Sequence, residues 1–401
     1  MARCYLAEGQ GPYLRQPRED RRETVMSNTI FGNALPKVAA AAVLSLAASL
    51  LLVTPAGAAP LGCGHVFSSS GAHVTLQSDI GPCPGNGLIV QADKVVIDLN
   101  GHTVRGTGVP TAKDRIGFLL DGSTGSVVRN GTVRGFDAGV VVLEGKSNTV
   151  SSVRALDNVG SGNGNFGDGI LVASSKTNRL VFNNVSGNGP FDGIGVLNLT
   201  GIAPTGNTID RNEITENAIV FNPPAGPAAA AAAPSQRAGI GSMGGPVAGP
   251  DHVSGVQQDD GIRLEGGGAS FNFVLNNVVR RNGLDGIALF RAIPANTHNV
   301  IENNVVGGNG FKVVPNERGG FGIVLFGSAD NSINPNATVL VQNVVRGNNN
   351  DGITVGSVNN QIRSNTALGN TGFDLSDLHE NCDNNLWLNN TFGTHTPACA
   401  H

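Results

Sequence analysis

Apolar residues in this chain come in short alternations, not in helical stripes. In Asp260-Gly261-Ile262-Arg263-Leu264-Glu265, Ile262 and Leu264 alternate with polar side chains, which is the period of a strand. Further on, Phe273-Val274-Leu275 and Val278-Val279-Arg280 are separated and bounded by Asn, a residue suited to turns and left-handed backbone. The pattern predicts three short strands per unit, separated by Gly/Asn turns.

The unit recurs. Asp-Gly-Ile stands at 168–170, 192–194, 260–262, 285–287 and 351–353, with looser copies at Phe321-Gly322-Ile323 and Ala138-Gly139-Val140. A second phrase follows, with Asn at five-residue spacing: Asn207, Asn212 and Asn217, then Asn299, Asn304 and Asn309, then Asn360, Asn365 and Asn370. Such periods imply stacked coils, each strand pairing with its copy about 4.8 Å away. Stacked Asn side chains can then hydrogen-bond along the turns and satisfy polar groups that stacking would bury.

Composition narrows the alternatives. Of 401 residues 57 are Gly, and only 14% are charged. Gly and Asn oppose a helical bundle, while 40% hydrophobic residues suffice for a core. A net charge of −4 gives no basic balance to attract nucleic acid. Val38–Val53 is an apolar run behind Lys37, followed by Ala56-Gly57-Ala58. It predicts a signal peptide cleaved after Ala58, with Met26 as the start, hence a secreted protein with no membrane span afterwards. The leader takes Cys4, Tyr5 and Tyr13 with it, leaving Cys63, Cys83, Cys382 and Cys399. Of three connectivities, the local pairs Cys63–Cys83 and Cys382–Cys399 are preferred in an exported chain.

From Gly87 to Thr391 the repeat resembles the right-handed parallel β-helix, or pectin-lyase-like, superfamily, and Asp98-Leu99-Asn100-Gly101-His102-Thr103 resembles its entry coil. The resemblance implies an all-β, single-stranded right-handed parallel β-helix solenoid of about ten coils with disulfide-bonded end caps. Expected boundaries are a leader at 1–58, an N-terminal cap at 59–90, the β-helix at 91–375 with an Ala/Pro/Gly-rich loop at 221–258, and a C-terminal cap at 376–401. Helix is expected only in a cap at the N-terminus. The superfamily holds lyases, hydrolases, epimerases, a copper-site accessory protein and non-catalytic spikes, so the fold alone names no activity.

The Asp of each Asp-Gly-Ile invites a Ca²⁺ ladder, but its regular recurrence favours a turn role. An active residue should break the repeat, and one coil does. Asp259, Arg263 and Glu265 share the outward parity of one strand, amid an otherwise apolar stripe. They are the candidate catalytic residues, able to supply acid/base carboxylates or an Arg that neutralises a uronate. Phe290, Phe326 and His252, the last at the base of the long loop, are the candidate ligand surface. Polygalacturonase and alginate-epimerase motifs are absent, and a Tyr acid is excluded from the mature chain. Dispersed His residues and a single Met after the leader argue against copper delivery. The expected function is a monomeric secreted protein acting on or binding a polysaccharide or cell-surface glycan. The alternative is a non-catalytic extracellular structural or interaction protein.

Overall fold

A computed structural model describes residues 61–110, 114–160, 166–217, 260–290, 296–311, 319–326 and 337–401. The chain divides into Met1–Ala58 and Ala59–His401, and everything below concerns the second unit. The leader, the 221–258 loop, His252 and Asp259 lie outside the described residues.

Among the described residues every strand pairing is parallel, and the strands form three ladders running the length of the stack. Among the described residues one ladder contains twelve strands, from His65–Phe67 to His395–Thr396. The second and third run side by side, and Val127–Arg134 and Thr149–Leu156 each bend through both. Three strands per coil is what the alternation predicts. The ladders also enter the segments expected to be caps: His65–Phe67 pairs with Leu88–Val90, and Leu375–Asp377 with His395–Thr396. No α-helix occurs among the described residues. The one helical turn is a 3-10 turn at Cys382–Asn384, at the opposite end from the expected one.

In the first ladder Ile170, Ile194, Ile262, Ile287, Ile323 and Ile353 stand in register on successive coils. All are buried in one continuous core. The Gly of each Asp-Gly-Ile is fixed by close approach: a Cβ on Gly261 would lie 2.6 Å from Asn282 Nδ2 and 2.7 Å from the Gly286 carbonyl.

The five-residue Asn spacing has a specific geometry. Each ladder Asn follows a residue at positive φ: Thr177 before Asn178, Phe182 before Asn183, Gly187 before Asn188. The left-handed residue turns the chain and the Asn behind it points inward. The turn conformation therefore belongs to the residue before the ladder Asn, which the sequence pattern alone had not distinguished. Asn277 Oδ1 accepts from Asn212 N–H (2.9 Å) and Asn212 Nδ2 (3.0 Å), and Asn277 Nδ2 donates to Asn304 Oδ1 (3.0 Å) and the Ile209 carbonyl (2.9 Å). Three such columns satisfy the polar groups of the bends along the stack.

Disulfides Cys63–Cys83 and Cys382–Cys399 close the two ends. At the C-terminal end Trp387 is buried against the core, its Nε1 donating to Asp377 Oδ2 at 3.1 Å.

Candidate functional site

The outer face of the first ladder carries the predicted trio's two described members on strand Ile262–Glu265. Ile262 and Leu264 enter the core, so Arg263 and Glu265 point the other way. Their neighbours there are apolar and buried: Leu171, Ala173 and Leu197 on one side, Ala288, Phe321 and Val324 on the other. Arg263 itself is only 7% exposed along its side chain.

Its guanidinium meets two carboxylates and one aromatic ring. Nε donates to Glu265 Oε2 at 2.7 Å and Nη1 to Asp260 Oδ2 at 2.9 Å, and the ring centroid of Phe290 lies 4.0 Å from Cζ. The parity argument places Arg263 between Asp259 and Glu265; among the described residues its second carboxylate is instead Asp260, the repeat's own Asp. Asp260 Oδ1 also accepts the Asp285 N–H at 2.9 Å, and Asp285 Oδ1 accepts the Phe321 N–H at 2.9 Å. Asp351 does the same for Phe373 at 2.8 Å. In these three coils the recurrent Asp therefore ties one coil to the next, the turn role that its regularity suggested.

Burial raises the Asp260 carboxyl, partly offset by Arg263. Asp285 is pushed well above the ordinary carboxylate range, by burial first and by the Asp260 charge second. Burial works against the Arg263 charge, but Glu265, Asp260 and Asp192 outweigh it and hold the guanidinium protonated. Asp260, facing Arg263, therefore keeps its charge more readily than Asp285 does.

Phe290 and Phe326 are half-buried and pack on each other, ring centroids 5.6 Å apart, with Phe321 beside them. One face of Phe290 already carries Arg263.

A second constellation lies at the bend leading into the second ladder, on the same coil as Arg263. Phe271 is 54% exposed at φ 57°, and its ring stacks on exposed His298 of the next coil, centroids 4.9 Å apart and planes within 10°. Phe273, two residues on, is also exposed. Across the strand face, Phe182 is 56% exposed at φ 58°, with the Arg211 guanidinium 5.4 Å from its ring centroid. Between them Asn276 Nδ2 donates to Asp210 Oδ1 at 2.8 Å. The sequence signal was present: Phe271 fills a slot occupied in other coils by Gly125, Ser147, Thr177 and Gly206.

The right handed beta helix region, as a family model, matches residues 163–367, more than half of the chain, and the chain belongs to that family. A model described as the periplasmic copper-binding protein NosD matches residues 62–226, so the N-terminal coils are similar to that family too. No curated protein matches the chain. Among solved structures, the periplasmic alginate epimerase AlgG is 14% identical over 84% of this chain and 73% of that chain, with a TM-score of 0.49. The A-module of the mannuronan C-5 epimerase AlgE4 of Azotobacter vinelandii is 13% identical over 80% and 85%, with a TM-score of 0.43. DFA-IIIase from Arthrobacter chlorophenolicus A6 without its lid is 10% identical over 76% and 66%, with a TM-score of 0.47. Likeness of this degree transfers no substrate.

Proposed function

We propose that this is an exported β-helix protein that binds an extracellular polysaccharide through the aromatic bend at Phe271, His298 and Phe273. The observation that carries the reading is Phe271 itself. A bulky side chain in the left-handed region costs about 1–3 kcal/mol, and here it is left more than half exposed, so burial does not offset the strain. Gly, which other coils place in this slot, would serve the fold better. A flat exposed ring stacked on a second ring is a platform for the apolar face of a sugar. Export is supported by the signal-type leader and by two disulfides, which persist in oxidising compartments.

The charged trio is read as part of the fold, because Arg263 is buried with two carboxylates and the Phe290 ring around its guanidinium. A copper role, favoured by the match over 62–226, does not fit the donors: among the described residues no three His, Cys, Asp or Glu side chains are grouped to hold a metal ion. The test is affinity electrophoresis of the purified chain through a panel of soluble polysaccharides, with reducing ends and unsaturated uronides monitored. Retardation by at least one polymer, weakened in Phe271→Gly and without turnover, is expected. No retardation across the panel, or retardation indifferent to Phe271→Gly, overturns the reading.

A further inference from the structure

The three ladders close differently at the C-terminal end of the stack. The first ends at His395–Thr396, which runs straight into Pro397, a residue with no N–H to extend a sheet. The third ends at Thr391–Phe392, a strand of two residues. The second ends at Leu386–Leu388, which pairs with Gln361–Arg363 of the coil before it. Its sequence, Leu-Trp-Leu, holds neither Pro nor charge, and its register has no bulge. These are the devices that ordinarily blunt an open edge.

The hydrogen-bonding groups of this strand point two ways. Leu386 N–H donates to the Asn360 carbonyl at 2.8 Å, and the Leu388 carbonyl accepts from Ser364 N–H at 2.9 Å. Parallel pairing alternates along a strand, so the Trp387 N–H and carbonyl point away from the stack. No described strand pairs with them on that side. The edge is held stiffly. Trp387 is buried in the core, and its Nε1 and Asn385 Nδ2 both donate to Asp377 Oδ2, at 3.1 and 2.9 Å. On either side of Trp387, Leu386 and Leu388 turn outward, 47% and 43% exposed. At the opposite end the same ladder begins with His73–Thr75, whose outward positions are His and Thr.

Charge adds direction. Residues 364–401 contain no Lys or Arg, and Glu380 and Asp383 are exposed on the turn that leads into the strand. Arg363 lies beside Leu388 on the coil before, away from the open side. We propose that the Leu386–Leu388 edge is a strand-addition site, taking an extended basic segment of another protein as one more parallel strand of the second ladder. The segment's backbone pairs with the Trp387 N–H and carbonyl. Its alternate apolar side chains continue the rows of Leu386 and Leu388, and its cations face Glu380 and Asp383. Backbone hydrogen bonds supply the affinity, while alternation and charge supply the selection.

The full chain has one Trp, so Trp387 emission reports on this strand alone. The experiment titrates the full chain with an extended peptide that alternates Val with Lys. Its comparisons are the same peptide with Pro at its central positions, a Val/Glu counterpart, and the chain variants Leu388→Lys and Thr75→Lys. The Val/Lys peptide should shift the emission saturably. Central Pro, which removes backbone donors, and Leu388→Lys, which places a cation on the edge, should each weaken binding roughly tenfold. Leu388 is exposed, so its replacement leaves the core in place. Thr75→Lys, at the far end of the ladder, should bind as the parent does. The Val/Glu peptide should bind less tightly, by a margin that narrows as salt rises. No shift with Val/Lys, equal binding of the Pro or Val/Glu peptide, an inert Leu388→Lys, or an equal loss in Thr75→Lys overturns the proposal. An emission shift that grows with chain concentration in the absence of peptide assigns the edge to a second copy and overturns it as well.

Discussion

Arg263 and Phe271 stand on one coil and break the repeat in opposite ways. Arg263 is a charge in an apolar stripe, and the fold consumes it: two carboxylates and an aromatic ring occupy its guanidinium. Phe271 is an apolar ring at a turn that favours Gly, and the fold leaves it half in water. An exception to a repeat is therefore not evidence of function until its partners are counted. A buried charged side chain paired internally stabilises its neighbours. A strained, exposed aromatic one gains little from the chain's own interior, and under the proposed function its use lies in a ligand.

The comparison breaks first if Arg263 proves dispensable. Truncating it leaves Asp260 and Glu265 facing each other with their shared cation gone. Removing one partner of a buried ionic cluster costs about 3–5 kcal/mol, so Arg263→Ala should lose that much in urea unfolding at neutral pH. The loss should shrink toward acid pH, because Asp260 can then take a proton in place of the missing guanidinium. An Arg263→Ala chain as stable as the parent would return the trio to candidacy as an active site.

The second measurement concerns Asp285, whose folded-state carboxyl is raised well above its ordinary value. A group raised on folding contributes stability that is fully present below its unfolded pKa and lost as pH rises through the folded one. Asp285 should therefore destabilise the chain progressively above about pH 4, by up to about 1.4 kcal/mol per pH unit within that window. Asn at this position keeps an oxygen for the Phe321 N–H and removes the titration. Asp285→Asn should match the parent near pH 4 and exceed it increasingly as pH rises. The difference between the two curves is the quantity to read, because Asp98 and Asp374 are lowered on folding and tilt both curves the other way. Coincident curves across the range would show that Asp285 is not the protonated member of the stack.

The fold was legible because its period is physical. Asp-Gly-Ile recurs since the Asp accepts a backbone N–H from the next coil and the Gly lies against the next coil's carbonyl. The Asn recurs because each bend has one inward polar slot. The candidate site was legible only in part. Strand parity located Arg263 and Glu265 on one face, but parity is a property within a strand and could not show that Asp260, just before it, reaches Arg263. The aromatic bend was missed because turn residues were treated as interchangeable. Thr177, Gly206, Phe271 and His298 occupy one slot on four coils, and comparing that slot down the stack separates the aromatic pair from the rest.

The smallest expected effect on stability is the most telling for function. Phe271→Gly removes a ring that loses little buried area and relieves a left-handed backbone that Gly adopts without cost. Against this stands the extra chain entropy that Gly carries in the unfolded state, roughly 0.5–1 kcal/mol. With strain of about 1–3 kcal/mol removed, the balance should favour the variant by about 1 kcal/mol, read as a small rise in urea midpoint at unchanged slope. The same variant should bind polysaccharide more weakly, because the platform is gone and His298 has lost its stacking partner. Stability and binding moving in opposite directions on one substitution is the signature of a residue kept for its ligand. If stability falls by more than about 1 kcal/mol instead, the Phe271–His298 stack is a packing contact, and the contrast with Arg263 dissolves.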